Sequence, residues 1–138
     1  MSGPYGRTSG SDQRASRPMM EGVMHFRLAD QLAALREEAQ WAEGDRNSRT
    51  LAKDVDFRVV LTVMRDGAEL DEQDGDARVS VQLIDGTASL RLPEEDDAVR
   101  LDAGMLAVVD NGRPWRLRAD SDCAVLLTLA WPREKAGV

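Results

Sequence analysis

The chain holds one cysteine, one histidine and one tyrosine, so the side chains that most often ligate metals or move protons near neutral pH are almost missing. Cys123 alone forms no intrachain disulfide and assembles no thiolate metal site, which suits a reducing compartment. His25 and Tyr5 both precede the segments that read as strands, so neither offers itself as an acid or base inside the fold. Aromatic residues make up 4% of the chain against a hydrophobic share of 42%, and the core must therefore be built from Val, Leu and Ala. No apolar run approaches the roughly 18 residues of a membrane span, and the N-terminus lacks the apolar stretch of a signal peptide. The chain reads as soluble and cytoplasmic, with no membrane partner. Basic residues are also short: 18 against 25 acidic ones leave a net charge of −7. Phosphate neutralisation needs a basic surface, so nucleic acid is not expected as a partner.

What is present fits one domain of 138 residues with a single core. Residues 1–22 read as a disordered tail, because 1–18 are rich in Ser, Gly and Arg and carry too few aliphatic side chains to offset the entropy of ordering. Residues 23–46 read as a helical segment. Leu28, Leu32, Leu35, Ala39 and Ala42 recur at helical spacing and predict one amphipathic helix, with Asp30 at or near its N-cap and Gly44 as a left-handed C-terminal cap. Arg36, Glu37 and Glu38 fall on its wet side and Trp41 at its edge. The helix is expected to pack on the outside of the domain or against a partner chain.

Residues 47–133 read as a β-barrel, followed by a short tail at 134–138. Candidate strands are 50–53, 57–65, 69–72, 78–84, 87–92, 98–101, 105–109, 115–119 and 124–131. Between them lie the turn pairs Asp66-Gly67, Asp74-Gly75, Asp85-Gly86, Ala103-Gly104 and Asn111-Gly112. Many short, evenly spaced strands predict an all-β fold, with a double Greek-key jelly roll as its closed form.

One stretch organises the rest: Gly67 to Gly86, GAELDEQDGDARVSVQLIDG. Its spacing resembles the first cupin motif, G-x5-H-x-H-x3,4-E-x6-G, with both framing glycines in place. Gln73 and Gly75 stand at the two histidine positions and Val79 at the glutamate. Gly104 to Ala119, GMLAVVDNGRPWRLRA, follows the second motif, G-x5-P-x-G-x2-H-x3-N. There Gly104 and Gly112 agree, while Asp110, Trp115 and Ala119 replace the proline, histidine and asparagine. The chain resembles small single-domain bacterial cupins of the RmlC-like type with an N-terminal helix, from about Phe26 to Pro132. That resemblance implies a double-stranded β-helix and a homodimer.

In such cupins three histidines and a glutamate hold a divalent metal inside the barrel, and all four positions are substituted here. An indole has an N–H donor and no free lone pair, Gly75 and Val79 offer no side-chain donor, and the neutral amide of Gln73 suits transition metals poorly. The reading is therefore a cupin with a degenerate metal site and no cofactor, serving as a small-molecule-binding or structural module, and leaning away from an enzyme. If the strands face as in the family, Gln73, Val79, Val81, Trp115 and Leu117 point inward at the barrel mouth, and Arg116 and Arg118 outward. Trp115 then either plugs the former metal cavity or forms one wall of an apolar pocket anchored by Gln73. The alternative is a metal-dependent enzyme with an atypical site near Asp71 and Gln73, where Glu72, Asp74 and Asp76 lie close by in sequence. Asp66, Glu69, Asp71, Glu72, Asp74 and Asp76 otherwise form a solvated acidic rim, and Glu94, Glu95, Asp96 and Asp97 a second acidic loop. Cys123 reads as a small hydrophobe, with Asp120 and Asp122 discouraging its thiolate.

Overall fold

The computed structural model describes residues 22–71, 76–110 and 113–132. The 1–21 tail, Gln73 with residues 72, 74 and 75, the 111–112 turn and residues 133–138 lie outside the described residues.

Two short helices precede nine strands among the described residues: α1 (Leu28–Arg36), α2 (Ala39–Glu43), β1 (Arg46–Asp54), β2 (Phe57–Met64), β3 (Glu69–Asp71), β4 (Arg78–Asp85), β5 (Thr87–Arg91), β6 (Val99–Asp102), β7 (Leu106–Val109), β8 (Arg116–Ala119) and β9 (Cys123–Ala130). The strands form a five-stranded sheet in the order β1-β2-β9-β4-β7 and a four-stranded sheet in the order β3-β8-β5-β6. Every paired strand is antiparallel, and the sheets face each other as a jelly roll. Three of the expected turn glycines, Gly67, Gly86 and Gly104, have positive φ.

Apolar side chains collect in two places. One cluster lies between the sheets, with Val79, Val81, Leu83, Leu101, Leu117 and Val125 at its centre. The other lies where the helices cover the outer face of the five-stranded sheet, with Leu32, Leu35 and Trp41 against Leu51, Leu61 and Val63. Strand β2 is squeezed between them, so Leu61, Thr62, Val63 and Met64 are buried in succession. A strand covered on both faces has no polar side to alternate with.

The helical segment departs from its expectation. It is two helices rather than one, because Glu37 ends α1 and Glu38 is extended, at φ −86° and ψ 155°. The break is held by tertiary contacts. The Asn47 side-chain amide donates to the Leu35 carbonyl and to Glu38 Oε1, each at 2.9 Å. Arg49 donates to Glu38 Oε2 at 2.8 Å, so Glu38 binds the protein's own strand while its side chain stays 43% exposed. Asp30 sits in the first turn of α1, where its charge suits the positive helix end, while the N-cap is Arg27. Gly44 is extended at φ −126° rather than left-handed. Trp41 is buried under the sheet-facing side, with the Arg65 guanidinium stacked 3.8 Å from its ring centroid.

Candidate functional site

Alternation along β4 sends Val79 and Val81 inward, and alternation along β8 does the same for Leu117, with Trp115 just ahead of it. The four sit in the interior cluster at 1%, 0%, 0% and 4% exposure. Arg116 and Arg118 face outward and are exposed. The structure thus brings Val79, Val81, Trp115 and Leu117 together as packed core. Among the described residues, Trp115 Nε1 has no hydrogen-bond partner there. Gln73, the polar member of the expected set, lies outside the described residues.

Asp71 is engaged elsewhere. It faces Arg116 directly across the β3–β8 pair, and its Oδ1 accepts from Arg116 Nε at 2.8 Å. Glu69 lies 4.0 Å from the same nitrogen, and the two carboxylates, Asp71 foremost, raise the Arg116 pKa above its ordinary value. The acidic residues are similarly divided: Asp122 accepts from the Asp66 backbone N–H at 2.8 Å, and Glu94 and Glu95 pair with Arg113 at 3.7 and 3.5 Å. Among the described residues, no three of His, Cys, Asp and Glu stand together as a metal site.

A cleft of about 300 Å³ is lined by Leu90, Leu92, Val99, Ala107 and Val109, with Glu95, Asp97, Asp110 and Arg113 among its polar residues. It opens where β6 and β7, the edge strands of the two sheets, approach each other. The β5–β6 loop supplies Glu95 and Asp97, and the segment after β7 supplies Asp110 and Arg113. Arg113 joins the two sides through its pairs with Glu94 and Glu95. Sequence reading missed this cleft. The alternation that turns Ala107 and Val109 inward was legible, but the meeting of two distant loops around them was not.

No protein-family model matches the sequence, and no curated protein matches it. Solved structures do. A conserved protein of unknown function from Streptococcus pyogenes aligns with a TM-score of 0.61 at 22% identity, over 80% of this chain and 91% of its own. A cupin superfamily protein from Desulfitobacterium hafniense aligns at 0.58 and 15%, over 65% and 81%. An RmlC-like cupin protein from Desulfovibrio desulfuricans aligns at 0.55 and 17%, over 83% and 94%. The chain has the cupin fold.

A cupin fold raises the question of a metal in the barrel. The described residues that the motif resemblance sets at ligand positions do not fit one. Val79 has no donor atom, and Trp115 presents an N–H that can only donate. Both are enclosed by aliphatic side chains, which solvate an ion poorly. Cys123, at the start of β9, is fully buried, and its pKa is pushed up to about 11. Burial is the largest cause, followed by the charges of Asp85, Asp122 and Asp120, with Arg36 opposing them. No helix among the described residues is long and apolar enough to cross a membrane.

Proposed function

We propose that this cupin-fold protein is a binding module that holds a small molecule in the side cleft and performs no metal-centred chemistry. The observation that carries the reading is the cleft itself: about 300 Å³, floored by the buried Leu90 and Val109 and edged by charged side chains, beside the packed apolar cluster of the described residues. Small-molecule sites combine apolar walls with a few polar groups in this way, and this volume is at the lower end of their range. Fold alone assigns no activity, so the argument rests on the cleft. A metal-dependent site at Asp71 has less support, because that carboxylate is held by Arg116 and is exposed.

The proposal includes a homodimer joined along β7. That strand ends the five-stranded sheet, and its outward Leu106 and Val108 are 59% and 69% exposed. An unpaired edge with apolar side chains is a template for pairing with a second chain. Sedimentation of the wild type as a dimer, and of Val108→Lys as a monomer, is the expected result.

The binding reading is tested by screening a small-fragment library against the 15N-labelled protein. Amide shifts clustered at Leu90, Leu92, Val99 and Val109 are expected, and Val109→Trp, which fills the cleft, abolishes them. Hits that cluster elsewhere and survive Val109→Trp overturn the assignment.

A further inference from the structure

Arginines gather on the outer face of the four-stranded sheet in a way that neither the core nor the cleft requires. In the β5–β8 pair Arg91 stands directly opposite Arg116, and Ser89 opposite Arg118. Leu90 and Leu117 take the inward positions, so the three guanidinium groups share the outward face. They line a shallow depression of about 230 Å³ together with Glu69, Ser89 and Ala98.

Arg116 is anchored through Nε by Asp71 at 2.8 Å, which leaves its terminal nitrogens without a hydrogen bond among the described residues. Arg91 and Arg118 have no ion-pair partner among the described residues. Like charges placed opposite each other in an antiparallel sheet destabilise it. Among the described residues, two guanidinium groups nevertheless stay without an ion pair beside a third.

We infer that this face is an anion site, and that its ligand is a small molecule bearing more than one phosphate group. Guanidinium forks match phosphate oxygens in bidentate fashion, and a multivalent anion can engage forks on two neighbouring strands together. Glu69 and Asp71 offset part of the guanidinium charge, and because attraction to the remaining positive charge grows with the charge of the ligand, a multivalent anion is held more strongly than a monovalent one. The inference is independent of the cleft.

The probe is inorganic pyrophosphate, titrated at low ionic strength into 15N-labelled protein. Shifts are expected along β5 and β8 and at the Nε resonances of Arg91 and Arg118, with citrate binding more weakly. The double variant Arg91→Gln/Arg118→Gln is expected to bind pyrophosphate at least about tenfold more weakly, since hydrogen bonds to charged groups are the stronger kind. Without ligand it should unfold at the same urea concentration as the wild type or a higher one, because a repulsion has been relieved. Shifts scattered over the surface, or unchanged affinity in the double variant, overturn the site. Tighter binding of citrate or hexaglutamate at these strands overturns the phosphate assignment, the second in favour of an acidic protein partner.

Discussion

Trp115 is 4% exposed, and its indole nitrogen has no hydrogen-bond partner among the described residues, so the side chain contributes packing while carrying the cost of an unmet donor. Trp115→Ala should lower stability by about 3 to 5 kcal/mol in urea unfolding. Trp115→Phe keeps most of the packing and removes the unpaired N–H, so its loss should be clearly smaller. Gly86 is bound by a different constraint. At φ +81°, a Cβ there would lie 2.3 Å from the Asp122 carbonyl oxygen and 2.7 Å from Cys123 Cα. Both are backbone atoms that cannot swing away, so Gly86→Ala should cost at least about 2 kcal/mol. Gly67 has φ +89° and nothing within 4 Å, so Gly67→Ala should cost only about 1 kcal/mol of conformational strain.

Cys123 makes stability depend on pH in a defined window. A thiol whose folded-state pKa is raised keeps its proton after the unfolded chain has lost one. Its contribution is therefore complete below the ordinary value of 9.0 and is lost as the pH rises toward about 11. Urea midpoints of the wild type should fall over that range relative to Cys123→Ala. The wild-type thiol should also react with a thiol reagent only after unfolding. The sequence already placed Asp120 and Asp122 beside this thiol. Asp85, the larger of the charge effects, is brought in by the β4–β9 pairing and could not be read from neighbouring residues.

At the scale of elements, strand positions were legible and the helix ends were not. Alternation and turn glycines locate β4 and β8, while the inward facing of Val79, Val81, Trp115 and Leu117 was what the cupin resemblance implied. The start of β1 was obscured because Arg46, Asn47 and Ser48 are polar, and only pairing with β2 makes them strand. The helix break was equally hidden, because it depends on Asn47 and Arg49, residues of the following strand. Asn47 is 4% exposed and joins three groups: the Leu35 carbonyl, Glu38 and the Ser48 N–H. Asn47→Ala leaves the Leu35 carbonyl without its side-chain donor and should cost about 1 to 3 kcal/mol. Its effect should appear as faster hydrogen exchange in α1 and α2, with β4 and β8 little changed. Uniform loss of protection across both sheets would mean that the helical layer is not a separable element.

For the whole molecule, two antiparallel sheets enclose a packed apolar cluster of described residues, and a cleft lies at the seam between β6 and β7. The motif spacing made the shell legible in the sequence, since framing glycines and alternating strands are local signals. The cleft was not legible, because it requires the 92–98 segment to meet Asp110 and Arg113 across the fold. The central claim is that Trp115 and Val79 are packing rather than the remains of an ion cage. Its most direct test is the 15N spectrum of the intact protein with one equivalent of Mn2+, read at the Trp115 indole N–H and the Val79 and Val81 amides. Those resonances should remain sharp, with any broadening confined to the exposed acidic loops. Selective broadening centred on Trp115, Val79 and Val81 would place an ion inside the barrel and contradict the account.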